Sequence, residues 1–337
     1  MNLHLDKKSF SDIIGLISQA TGLRPDVLEK DYYVTLFLSE LSYKQNQLGL
    51  QAYFKGGTAL YKALKTNNRF SEDIDITVEI AGCNSNQAKK RLELATKKYE
   101  SLVRTDNKSM EENKKGSITC VYDYMPVTVT GIKDPLSRFS HVKIEATSFT
   151  VSEPFENLQV APMIFEYATE PQQKLLSQKY QVSSFKVKTI TIERIFVDKI
   201  MAAQLCYQKK NYLDTAKHLY DLIILLPQNR ITSLMSHENK FYSLVALKKK
   251  EEESWLGSDL DKKSFDDYTV FTEAESNKEL KDAFSNMQDI YVFNDDDKLD
   301  YFDTCQVLFL KIYNYLVNKV KKDDDGNILP LETDLHI

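Results

Sequence analysis

Cysteine is scarce and scattered. Cys83, Cys120, Cys206 and Cys305 form no CxxC pair and no Cys/His cluster. That excludes a zinc-ribbon motif and a disulfide framework, and it fits a reduced, cytoplasmic interior with each thiol a small core residue. Ten glycines and eight prolines are too few for a fibrous or low-complexity chain. The longest strongly apolar run, Leu222 to Leu226, is far too short to span a bilayer, and the opening MNLHLDKKSF carries charge where a signal peptide needs an apolar stretch. No membrane role is expected. Positive charge is not in excess either: the net charge of −5 means that a nucleic-acid partner must be met by a local basic patch.

What is present is bulk. The chain is 337 residues long, enough for two domains, with 42% hydrophobic residues, 19 Tyr and 17 Phe. Residues 6–21 and 25–43 read as helices, the second around a charged start, Glu29-Lys30-Asp31. Ala52–Phe54 reads as a strand, followed by a glycine turn and a helix from about Ala59 to Lys65. Asp73–Ile80, Ser117–Tyr124, Pro126–Ile132 and His141–Val151 read as further strands, and 86–103 as a helix. After about residue 170 the pattern turns helical, over 171–180, 191–208, 213–226, 231–250, 275–289 and 300–321, with a short strand at Phe185–Ile190. The expected division is residues 1–180, mixed α and β, and residues 181–337, mostly helical. The charge blocks at 248–253, 295–297 and 323–325 read as solvated helix ends and loops.

Residues 55–79, KGGTALYKALKTNNRFSEDIDITVE, carry the strongest functional signal. Gly56, Gly57 and Thr58 open a short helix, whose backbone N–H groups suit a phosphate. Fifteen residues after Thr58, Asp73 and Asp75 flank Ile74 in a β-branched run, where residues two apart share a face. Either feature alone is common. Together they describe a site for a nucleoside triphosphate and magnesium or manganese, held by hard oxygen ligands. The third carboxylate expected from a neighbouring strand is Glu145, two residues after Lys143, although a half-exposed strand would place both in water with no chemistry attached. The whole reading requires the acid pair to share one cleft with the diglycine bend.

The blocks KGGTALYKA, RFSEDIDITV, VKIEA, TIERIFVDKIMA and AKHLYDL, with EKDYYVT near the N-terminus, resemble the AbiEii/AbiGii toxin family of nucleotidyltransferases, within the DNA polymerase β-like superfamily. The resemblance covers about residues 25–225 in scattered blocks. It implies an α+β fold: a minimal nucleotidyltransferase core, with a mixed sheet flanked by helices, and a helical C-terminal domain. It implies a toxin of a toxin–antitoxin or phage-defence system that transfers a nucleotide, for some members to tRNA, and a separately encoded antitoxin that is usually a transcriptional regulator. Carried over by position, Gly57 and Thr58 fall in the phosphate turn, Asp73 and Asp75 at the metal site, and Lys143, Lys199 and Asp221 at further motif positions.

Lys199 falls within an apolar stripe made by Ile192, Ile195, Phe196, Ala203 and Cys206. A lysine there snorkels to water, forms a structural salt bridge, or meets triphosphate charge. Asp214, Lys217, His218 and Asp221 make a polar stripe that reads as a solvated helix face, against which the resemblance marks Asp221 as a site residue. Lys186, Lys188, Arg194, Lys199, Lys209, Lys210 and Lys217 form either a surface for an RNA backbone or an ordinary mixed one. The expected activity is transfer of a nucleoside monophosphate from a triphosphate to a nucleic acid, with Asp73, Asp75, Lys199, Asp221 and Glu145 in catalytic roles and Gly56, Gly57, Thr58 and Lys143 binding the nucleotide. A small-molecule or protein acceptor, and a non-catalytic nucleotide-binding module, are the alternatives.

Overall fold

The β-branched and aromatic runs of the first half assemble, in the computed structural model, into one eight-stranded mixed sheet. The structure describes residues 1–128, 140–149, 153–253 and 259–319. Contacts divide the chain into two units, one of Met1–Lys65 with Phe70–Ile190, the other of Thr66–Arg69 with Thr191–Ile337.

In the first unit, α1 (Lys7–Thr21) and α2 (Pro25–Gln47) precede β1 (Ala52–Lys55), α3 (Gly56–Lys62) and β2 (Ile74–Glu79). Then come α4 (Ser85–Thr96), β3 (Val103–Arg104), β4 (Glu112–Lys114), β5 (Ser117–Asp123), β6 (His141–Phe149), β7 (Phe155–Val160), α5 (Met163–Glu166), α6 (Glu170–Tyr180) and β8 (Phe185–Ile190). The strand order is β3-β5-β6-β2-β1-β8-β7, with β4 paired to β5. β2 runs parallel to β6 and antiparallel to β1, and β1 runs parallel to β8. The centre of this sheet is therefore β6-β2-β1, with the acid-bearing strand in the middle.

Helix α1 shows how local sequence builds an element. Asp6 caps it by accepting from the Ser9 N–H, Phe10, Ile13, Ile14 and Ile17 recur at helical spacing and are buried, and Gly22 ends it at φ +74°. Helix α2 is buried at every position from Asp26 to Leu38. An all-round buried helix tolerates charges only if each finds a partner. The three consecutive ones do. Glu29 accepts from the Val127 and Thr128 N–H groups at 2.7 and 3.0 Å, Lys30 donates to the His141 carbonyl, and Asp31 pairs with the fully buried Lys62. The expected charged helix start is in fact three polar anchors. Buried side chains such as Phe37, Phe54 and Ile76 each contribute about 1.5–3 kcal/mol on top of these.

The second unit contains α7 (Ile192–Gln208), α8 (Tyr212–Leu225), α9 (Asn229–Ser236), α10 (Glu238–Glu252), α11 (Val270–Glu273), α12 (Lys278–Tyr291), α13 (Tyr301–Leu308) and α14 (Asn314–Lys319). Helix α8 packs against α7 and α12.

Several expectations need correction. The helix expected over 231–250 is two, α9 and α10, because His237 takes non-helical angles of φ −113° and ψ 78°. The helix expected over 300–321 is interrupted by a π-helical turn at Phe309–Tyr313, and its last two residues lie outside the described ones. The helix after the glycine turn starts at Gly56 itself rather than Ala59. Pro126–Thr128 carry no strand, and the remainder of that expected strand lies outside the described residues, as does the acidic block at 323–325. The strand β7 has no counterpart in the sequence reading, since its FENLQV stretch is an edge strand with mostly exposed or half-buried side chains and weak alternation. Finally, the 248–253 block is not simply solvated: Glu251 and Glu252 are buried, Lys248 reaches them at 3.0 and 2.7 Å, and Arg194 pairs with Glu251 at 2.9 Å.

Candidate active site

Strand β1 ends at Lys55 and the chain turns at once into α3 through Gly56, whose φ is +81°. A side chain there is excluded twice. The left-handed angle disfavours any Cβ, and a Cβ at Gly56 would stand 2.0 Å from the Asp75 Oδ2. The Asp75 carboxylate thus lies directly against the diglycine bend. Gly57 is buried in the first turn of α3, and no N-cap side chain accepts from that turn.

The Thr58 side chain is engaged within the protein. It is fully buried, its hydroxyl donates to the Asp73 carbonyl, and it lies 3.0 Å from the Ser71 Oγ. With its one proton committed, Thr58 ties the head of α3 to the backbone of the acid segment. Asp73 itself precedes β2, and Asp75 is its second residue.

The register of β2 against β6 sets Asp75 beside Glu145, and that of β2 against β1 sets Asp75 opposite Lys55. Glu145 and Lys143 share one face of β6, two residues apart. The Lys143 Nζ lies 3.0 Å from the Asp73 Oδ2 and 2.7 Å from the Glu145 Oε1. The side chains of Asp73, Lys143 and Glu145 are 36%, 31% and 39% exposed, so this ion-paired group opens to solvent. Burial would lower the Lys143 pKa, but Asp73 and Glu145 outweigh it and hold the ammonium well above its ordinary value. Among the described residues, no three His, Cys, Asp or Glu side chains gather as a ready metal cluster. The carboxylates expected to bind metal, Asp73, Asp75 and Glu145, are instead bridged in part by an ammonium. Their hard oxygens suit a divalent cation in kind, and the Lys143 cation stands between two of them.

Lys199 and Asp221 belong to the second unit, as does Arg69. Asp221 is fully buried, not on a solvated face. Its Oδ1 accepts from the Arg69 Nε at 2.7 Å and the Asn67 Nδ2 at 2.6 Å. Its Oδ2 accepts from the Arg69 Nη2 at 2.7 Å and lies 2.8 Å from the Lys199 Nζ. Burial acts to raise its pKa, but Arg69 and Lys199 reverse this and hold the carboxyl far below the usual range. Lys199 is buried with Asp221 as its partner and His218 at 3.4 Å, so of its three expected surroundings the structure displays the salt bridge. His218 is pushed down to about 3 by burial and then by the Lys199 charge. Arg69, which the sequence reading did not single out, is the centre of this group; its only signal was a lone arginine four residues before Asp73. Of the basic residues considered for RNA, Arg194 and Lys199 are buried in ion pairs, while Lys186, Lys209 and Lys210 are exposed.

A family model described as nucleotidyl transferase AbiEii toxin, type IV TA system, matches residues 37–306. No curated protein matches the chain. Among solved structures the chain is similar to MenT4, a nucleotidyltransferase toxin from Mycobacterium tuberculosis H37Rv, with 14% identity and a TM-score of 0.42, over 90% of this chain and 98% of that one. No helix among the described residues is long and apolar enough to cross a membrane.

Proposed function

We propose, for a chain that belongs to the AbiEii family of nucleotidyl transferase toxins, that the Asp73, Asp75 and Glu145 group transfers a nucleoside monophosphate from a triphosphate to RNA, with tRNA the acceptor. The observation that carries this reading is the close approach of the Asp75 carboxylate to Gly56, which brings the diglycine bend and one carboxylate of the acid segment together.

Asp73, Asp75 and Glu145 would hold magnesium or manganese. When bound, such a cation neutralises phosphate oxygens and eases loss of the acceptor hydroxyl proton. The residues of the chain supply the rest. Gly56 and Gly57 let the triphosphate approach the backbone at the head of α3. Thr58 keeps the acid segment in place through the Asp73 carbonyl. Lys143 carries a positive charge within ion-pair reach of Asp73 and Glu145 and suits charge developing on the leaving pyrophosphate. We assign Asp221 and Lys199 a positioning role, because Asp221 binds Arg69 just upstream of the acid pair. The exposed lysines Lys186, Lys209 and Lys210 support contact with an RNA backbone. The same reading gives an antitoxin encoded separately.

The test is incubation of the protein with each α-labelled triphosphate, magnesium and total cellular RNA. Label is expected in nuclease-sensitive species of tRNA size. Asp73→Ala and Asp75→Ala are each expected to abolish transfer while circular dichroism stays unchanged. Transfer retained in both variants overturns the site, and nuclease-resistant label running with protein overturns the acceptor.

A further inference from the structure

We propose that Lys143 is a built-in counter-cation that occupies the space between Asp73 and Glu145 and must swing out before a divalent cation can be held there. The proposal rests on the reading of Asp73, Asp75 and Glu145 as metal ligands and deepens it.

Register places Asp75 and Glu145 side by side on adjacent strands, about 4.8 Å apart between backbones. Like charges so placed repel. Asp73 adds a third carboxylate just before β2. Asp73 and Glu145 carry like charges that repel when nothing lies between them. The Lys143 ammonium relieves this by bridging Asp73 and Glu145 from the same face of β6 as Glu145 itself.

Position makes Lys143 more than a surface ion pair. Its nitrogen lies within hydrogen-bond reach of one oxygen from each of two carboxylates on neighbouring chain segments. A cation shared by two such oxygens takes the place that a hard metal ion would take. Both cannot be there, since charges a few ångströms apart repel strongly at the rim of a protein. A lysine, unlike an arginine, is a compact charge on a flexible stem and can leave by rotation alone. Because the group is about one-third exposed, there is room for it to move. A triphosphate arriving at the α3 bend offers the ammonium a new anionic partner. Nucleotide and metal would therefore bind cooperatively: the phosphates draw Lys143 off the carboxylates that the metal needs. In the absence of nucleotide, metal affinity is held down.

The experiment measures manganese binding to the nucleotide-free full chain by the electron paramagnetic resonance signal of free Mn²⁺, with thermal melts alongside. Lys143→Met is expected to bind Mn²⁺ tighter than the wild type by about tenfold or more, a difference of about 1.4 kcal/mol. Its melting temperature without metal is expected to fall, then rise more steeply with added Mn²⁺ than that of the wild type. Lys143→Arg, which keeps the positive charge, is expected to stay near wild-type affinity. Lys143→Met/Asp73→Asn is expected to lose the gain. Unchanged Mn²⁺ affinity in Lys143→Met, with binding still lost in Asp73→Asn, overturns the counter-cation and leaves the metal site standing. Absence of Mn²⁺ binding in every variant overturns both. The melts separate a folding defect from either result.

Discussion

Replacing Gly56 by alanine adds one methyl group at the point where the two halves of the site meet. The local backbone stands at φ +81°, a conformation that costs a residue with a Cβ about 1–2 kcal/mol. The new methyl group would stand 2.0 Å from the Asp75 Oδ2, where ordinary contact begins near 3.4 Å. Relief requires the carboxylate to retreat by more than about 1 Å or the α3 head to shift by as much, and a misplacement of about 1 Å costs on the order of 10²-fold in rate. Gly56→Ala is therefore expected to melt several degrees lower, at about 2–4 °C per kcal/mol for a unit of this size, and to lose about 10²-fold in nucleotide transfer. Gly15→Ala is the control. Gly15 sits inside α1 with nothing within 4 Å of an added Cβ, so it is expected to stabilise the fold by about 0.5–1 kcal/mol and leave transfer unchanged. The assay is transfer from an α-labelled triphosphate at saturating RNA, with thermal melts of all three proteins. Wild-type transfer by Gly56→Ala would refute the claim that bend and carboxylate form one unit.

The second unit makes two further predictions. Asp221→Ala leaves Arg69 and Lys199 buried without their shared carboxylate and is expected to cost about 3–5 kcal/mol in urea unfolding, whereas Lys199→Met, which leaves the paired Arg69–Asp221 contact in place, is expected to cost less than half of that; equal losses would show that Asp221 does not organise the cluster. His218 has a folded pKa depressed to about 3 from 6.5, so between those values the unfolded chain binds a proton that the folded chain does not, and stability falls as pH drops through that window. His218→Gln is expected to lose less stability than wild type between pH 7 and pH 5, above the range in which carboxylates titrate; parallel pH profiles of the urea midpoint would contradict this.

Much of the first unit is legible in the sequence, because strand alternation and helical spacing are local properties. The Asp73-Ile74-Asp75 run is visible as acids interrupting β-branched residues, and the Gly56-Gly57-Thr58 turn as a break before a helix. The edge strand β7 is not legible, because an exposed edge needs no apolar alternation. Charge partners were the least accessible part. Glu29, Lys30 and Asp31 read only as a charged helix start, yet each is buried on a different partner, from Lys62 to the amides of residues 127 and 128.

By itself the sequence determined the family, the α+β composition and the presence of a diglycine turn ahead of an acid pair, because these depend on residue type and spacing along short segments. Tertiary structure alone decided that Thr58 holds the Asp73 backbone, that Lys143 bridges Asp73 and Glu145, and that Asp221 binds Arg69 across 152 residues of chain. The reason is that periodicity tells which side chains share a face, but only packing decides which faces leave water and which opposite charge each buried group then meets.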